Sequence, residues 1–168
     1  LYLGDEVERE TQRGEVDLAV GVWRRHPAGM VTEPLFEQRL EVVMRRGHPL
    51  SRGRLTMARF AAAQHALVAP RGRPGSRVDD VLGDHGLARR ISLRLPHFVT
   101  APIVIAGSDL LLTLPSRVAR VLAKPHGLVC RKLPLTVPGF TVSTLYPEAV
   151  ADDPVHAWFR AQLARAAT

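Results

Sequence analysis

Apolar residues along this chain come in short blocks of two kinds: runs that are unbroken or alternating, and sets spaced three or four apart as on one helix face. Residues 1–13 place Val7 among acids and bases and predict an amphipathic helix, ended by Gly14. Residues 16–22 (VDLAVGV) predict a buried strand, and a turn with Pro27 and Gly29 leads to a strand over 31–36. A further strand over 39–44 ends at the turn 46–50. Thr56 is a fair N-cap for a helix to about Ala63, and residues 65–69 (HALVA) form the next strand, closed by Pro70. Ser76, with Asp79 three residues on, predicts the start of a helix that Gly86 ends. Residues 90–95 alternate as a half-covered strand does.

Residues 95–115 (LPHFVTAPIVIAGSDLLLTLP) organise the middle of the chain. The pattern predicts a strand end at Leu95-Pro96, a helix over 98–106 with Pro102 in its first turn, and a turn at 107–109. The unbroken run from Leu110 to Leu114, stopped by Pro115, suits a strand covered on both faces. A helix over 116–123, strands over 128–133 and 140–146, and a final helix capped by Asp153 with Pro154 at its first position complete the pattern. Val155, Trp158, Phe159 and Leu163 form the apolar side of that last helix and read as core. Strands alternating with short helices predict a mostly parallel α/β architecture. Ligands of such sheets collect at the carboxyl ends of strands, where His97 and Phe98 stand.

Composition narrows the function classes. The chain of 168 residues is 46% hydrophobic, enough for one or two small domains with real cores. No apolar run approaches the roughly 20 residues of a membrane span, and no signal peptide is visible. Cys130 is the one cysteine, which excludes disulfide scaffolds and cysteine zinc sites and favours a cytoplasmic setting. The net charge of +7 invites a nucleic-acid reading. The basic pairs Arg24-Arg25, Arg45-Arg46 and Arg89-Arg90 are scattered along the chain, however, and none is interleaved with aromatics. Specific DNA binding by this chain is therefore not expected.

Metal and enzyme chemistry find little support. None of the seven histidines pairs with another His, Cys or acid at a metal-site spacing, so no metal or cofactor is expected. His97, Ser108 and Asp109 are the residue types of a nucleophilic triad, yet no G-x-S-x-G elbow exposes a serine. Asp109 is read as tying down the turn before its strand. The loop 71–76 (RGRPGS) is glycine-rich at a helix start and its N–H groups could hold a carboxylate; a plain surface turn is the competing reading. It lacks the ending of a phosphate loop.

Four segments, VDLAVG, EPLFEQRLEVVMRRGHPL, LPHFVTAPIVIAGSDLLLTLPSRVA and DDPVHAWFRAQL, taken in this order, resemble successive landmarks of the effector-binding domain of LysR-type transcriptional regulators. The PHF and SDLLLTLP segments resemble the branch answering to aromatic compounds. The resemblance implies a two-subdomain, type 2 periplasmic-binding-protein-like α/β fold, each half a mainly parallel sheet flanked by helices. Residues 1–43 with 132–168 would form one subdomain, lacking its opening strand and helix, and residues 44–131 the other, with two crossing strands between them. The effector would sit in the cleft. The family's helix-turn-helix, through which the full-length protein binds DNA, and its linker helix are absent from this sequence. Family members form homo-oligomers, and no membrane partner is implied.

The candidate effector contacts are His97, Phe98 and Thr100, the loop residues Pro70, Arg71 and Gly72, and Val22 with Trp23, which follow a strand end where the family places pocket residues. His97 as a structural histidine, Phe98 as ordinary core and Trp23 as a loop anchor are the competing readings. The implied effector is a small aromatic or carboxylate compound. A solute receptor of a transport system, which shares the fold, is the alternative function, and an enzyme is a distant third.

Overall fold

The structure, a computed structural model, describes residues 5–23, 25, 27–69 and 76–167. The chain divides into two compact units: residues 1–38 with 140–168 form unit 1, and Arg39–Gly139 form unit 2.

Unit 1 begins with α1 (Asp5–Gln12), which Gly14 ends in the left-handed conformation at φ 71°. Its sheet has the order β1 (Ala19–Gly21), β8 (Phe140–Pro147), β2 (Met30–Gln38), and α6 (Pro154–Ala166) closes the chain. Val7 of α1 packs on Ala19 and Leu145, with Val16, Trp23 and Met30 around them. The expected strand over 16–22 shortens to three residues.

Unit 2 holds a five-stranded sheet in the order β5 (Arg90–Leu95), β4 (Gln64–Val68), β6 (Leu111–Pro115), β3 (Leu40–Arg45), β7 (Leu128–Lys132). Four helices accompany it: α2 (Met57–Ala62), α3 (Arg77–Asp84), α4 (Ala101–Ala106) and α5 (Ser116–Ala123). Leu111 and Leu112 are fully buried because they face opposite covered sides. Leu112 joins Val43, Ala66 and Ile105 in one core cluster, and Leu111 joins Val42, Phe60 and Leu82 in the other. The local signals hold: the Thr56 hydroxyl accepts from the Arg59 N–H, Ser76 from the Val78 N–H and Asp153 from the His156 N–H. β5 alternates exposed and half-buried positions as predicted.

Three expectations change. The sheet of unit 2 is mixed and that of unit 1 antiparallel: β4 is parallel to both β5 and β6, but β3 is antiparallel to β6 and β7, and β8 is antiparallel to β1 and β2. The reason is chain direction. β2 and β3 carry the chain out of unit 1 and into unit 2, while β7 and β8 carry it back, so each outgoing strand meets a returning one head to tail. The helix expected over 98–106 starts only at Ala101, because residues 98–100 form a turn. Last, Trp158 and Phe159 are not core. They are 63% and 43% exposed, because α6 is held instead through polar side chains on another side of the helix. Arg160 stands over the Tyr146 ring at 4.4 Å, and its Nε lies 3.5 Å from Glu33. The His156 Nε2–H donates to the Asp17 carbonyl at 3.0 Å.

Candidate effector site

His97 follows the carboxyl end of β5, and the ends of β4 and β5 are joined there by the Ala69 N–H donating to the Leu95 carbonyl at 2.9 Å. The residues Pro70, Arg71 and Gly72 of the candidate set lie outside the described residues.

β5 is an edge strand, and its last residues turn sharply at Pro96 into α4. The His97 ring is exposed and has no hydrogen bond among the described residues, while its carbonyl accepts from the Thr100 hydroxyl at 3.2 Å. Phe98 is half-buried and packs against the cluster of Ile105, Leu112 and Leu114, so its ring is both core and rim. His97, Phe98 and Thr100 are thus brought together in one turn of unit 2. Val22 and Trp23 stand together in unit 1, just after β1. Val22 is 47% exposed. Trp23 packs on the unit 1 core, its indole N–H donating to the Ser143 carbonyl at 3.2 Å. The indole lies so close over β1 that a Cβ on Gly21 would meet it at 3.0 Å.

Chemically, the turn at 97–100 offers an imidazole, a hydroxyl and an aromatic edge on an apolar footing. A small ligand with a polar head and a planar body fits such a mixture. Asp109 is engaged elsewhere, its carboxylate 2.6 Å from Arg45 Nη2, as the reading of it as a turn anchor requires. Its carbonyl also accepts from His48 Nε2–H at 3.1 Å, since His48 Nδ1 accepts the Leu50 N–H at 2.9 Å. Cys130 is half-buried; burial and the nearby Glu41 push its thiol up, away from nucleophilic use. Among the described residues no group of three or more metal-ligating side chains comes together. No described helix is long and apolar enough to cross a membrane.

Elsewhere in unit 2 lies a buried polar cluster that the sequence did not reveal. The Arg89 guanidinium, 1% exposed, lies side-on to Asp79 and also donates from Nη2 to the Ser76 hydroxyl at 3.0 Å. Burial alone would raise the Asp79 carboxyl, but the hydrogen bonds and charge of Arg89, with Ser76, hold it below the usual carboxylate range. His65 is fully buried beside this cluster. Its Nε2–H donates to the Phe60 carbonyl at 2.8 Å, and desolvation lowers it from 6.5 to about 4. His65 Nδ1 and Arg89 Nη1 have no partner among the described residues. The signal available in sequence was the Ser76-to-Asp79 spacing. Nothing in sequence tied Arg89 to it, ten residues further on.

The chain and its fold are similar to known proteins. The family profile described as the LysR substrate binding domain matches residues 1–168. The chain is 33% identical over 161 residues to the HTH-type transcriptional regulator SyrM 1 of Sinorhizobium fredii, covering 95% of this chain and 48% of that protein. It is 30% identical over 149 residues to the HTH-type transcriptional activator NahR of Pseudomonas putida, covering 89% of this chain and 50% of the relative. It therefore spans about half the length of these relatives. Among solved structures, a probable transcriptional regulator from Pseudomonas aeruginosa superposes with a TM-score of 0.79 at 30% identity, over 92% of this chain and 51% of that one. The regulatory domain of MexT from the same organism superposes with a TM-score of 0.82 over 95% of this chain and 77% of its own, and at 24% identity it speaks for the fold alone. With a family profile matched along its whole length and a mixed α/β structure to go with it, the chain belongs to the LysR substrate-binding domain family.

Proposed function

We propose that this chain is the ligand-sensing domain of a LysR-type transcriptional regulator and that its effector is a small aromatic or otherwise planar organic acid. The observation that carries this reading is His97: an exposed imidazole without a partner among the described residues, set at a strand's carboxyl end beside the half-buried Phe98. A histidine kept for structure would be buried and hydrogen-bonded, as His48 and His65 are. His97 and the Thr100 hydroxyl would meet the polar head of the effector, and Phe98 its ring. Val22 and Trp23, with Pro70, Arg71 and Gly72, complete the proposed contact set. A bound anion needs such placed donors, because an unpaired charge away from water is costly.

The curated relatives named above are transcriptional regulators, which favours this reading over a transport receptor. In the full-length protein, a homo-oligomer, sequence-specific DNA contact would come from a helix-turn-helix outside this chain, and effector binding here would bias it. The subdomain assignment, residues 1–43 with 132–168 and residues 44–131, stands as part of the proposal. Titration of the chain with a panel of benzoates and phenolic acids, followed by thermal shift, tests the function: one or more should raise the melting temperature in a concentration-dependent way. A flat response across the panel, with amino acids and sugars binding instead, would sink it.

A further inference from the structure

The net positive charge of the protein comes from one unit. Unit 2 contains 17 Lys and Arg against 5 Asp and Glu, whereas unit 1 contains 6 against 11, so the net +7 is the sum of +12 and −5. Within unit 2, residues 42–78 and 110–139 include no Asp or Glu at all. The fold places parts of these two acid-free runs against each other: Leu50, Leu55 and Met57 pack in the same cluster as Leu133, Leu135 and Val137. The second run therefore brings no carboxylate of its own against the segment that carries Arg46, Arg52, Arg54 and Arg59.

Arg46, Arg52, Arg54 and Arg59 are all exposed on the surface and none is in an ion pair among the described residues. Two carboxylates of this unit are already engaged, Asp109 by Arg45 and Glu41 by Arg120. The loop bearing the first three is held in shape. Arg131 reaches across to donate to the carbonyls of Ser51 and Gly53 at 2.7 and 2.8 Å, and Arg59 donates to the Arg54 carbonyl at 2.8 Å. These bonds fix geometry while leaving the positive charge uncompensated. The large apolar residues exposed in this unit, Val99, Ile103 and Val121, belong to other segments.

We propose that this surface docks on the phosphate backbone of double-stranded DNA, without reading sequence. Guanidinium forks suit phosphate oxygens, and counterion release alone can drive such binding. A protein partner would call for an apolar centre and a membrane for inserting apolar side chains, and the patch offers neither. The absence of interleaved aromatics argues against single strands. This inference does not rest on the effector reading, since none of its residues is in the candidate ligand set.

The test uses the 168-residue chain and a mixed-sequence duplex of about 30 base pairs, with fluorescence anisotropy over a salt series from about 20 mM upward. One variant carries Arg46→Gln, Arg52→Gln, Arg54→Gln and Arg59→Gln. A control with the same net charge carries Arg90→Gln, Arg94→Gln, Arg120→Gln and Lys124→Gln. The patch variant should lose at least tenfold in affinity at low salt, and its slope of log affinity against log salt should become shallower by about 3 to 4. The control should change little, and both should keep the wild-type effector titration and melting curve. Should the patch variant melt early, the milder pair Arg52→Gln and Arg54→Gln should still reduce the slope by about 2. Equal losses in patch and control variants would reduce the effect to net charge and overturn the proposal. So would polyglutamate or phosphatidylserine vesicles binding the patch better than the duplex, or self-association of the chain through these arginines in place of DNA binding.

Discussion

Arg89 lies side-on to Asp79, its Nε 2.7 Å from Oδ1 and its Nη2 3.2 Å from Oδ2, and joins the start of β5 to the first turn of α3. With the arginine almost wholly buried, removing its partner leaves a cation without its carboxylate and poorly reached by water. Asp79→Ala should therefore cost about 3 kcal/mol in urea denaturation, somewhat less if water enters along the part-exposed carboxylate. Arg89→Met, which removes the buried charge, should cost less than Asp79→Ala. The reverse order would show that the pair is not what holds this corner.

Acid should weaken the same corner from two directions. His65 takes up its proton at about 4 when folded and near 6.5 when unfolded, so between those values the unfolded chain binds the extra proton. Stability is then lost as pH falls from about 6.5 toward 4, by about 3 kcal/mol in full. Asp79, held below the usual carboxylate range, adds a further loss as pH falls through and below that range. Denaturation midpoints measured across this window should drop in the wild type and drop less in a folded His65→Gln variant.

Replacing His97 with Ala should remove a donor worth roughly 1–3 kcal/mol toward a charged acceptor, a loss of about tenfold or more in effector affinity. The melting temperature should not move, because the ring touches no hydrogen-bond partner among the described residues. Unchanged affinity in the folded variant would leave the histidine without a role in binding.

Trp158→Ala on α6 should stay within about 0.5 kcal/mol of wild type, as an exposed substitution does. A buried tryptophan would cost about 3–5 kcal/mol, so one denaturation curve separates the two readings.

At Gly21 the prediction is opposite. A methyl group there presses on the Trp23 indole, so Gly21→Ala should strain or break the Trp23–Ser143 bond at a cost of about 1–3 kcal/mol. Tryptophan emission in a Trp158→Phe background isolates Trp23 and should shift to the red.

Much of the local structure was legible in sequence because it is decided locally. The Ser76, Thr56 and Asp153 caps, the left-handed Gly14 and Gly86, and the alternation of β5 depend on neighbours within a few residues. The family resemblance rested on ordered segments and predicted the α/β class in the same way. What needed the tertiary structure was every relationship between distant residues. Strand direction followed from the chain passing out of one unit and back, which no hydrophobic period encodes. The buried Arg89 and His65 carry no mark in sequence, since burial of a polar group depends on what packs over it. Trp158 read as core because its spacing is helical; periodicity finds an apolar face, and only packing decides whether anything covers it. The arginines between residues 46 and 59 stand close together in sequence, but only the fold shows that the segment packed beside them, residues 133–137, carries no carboxylate.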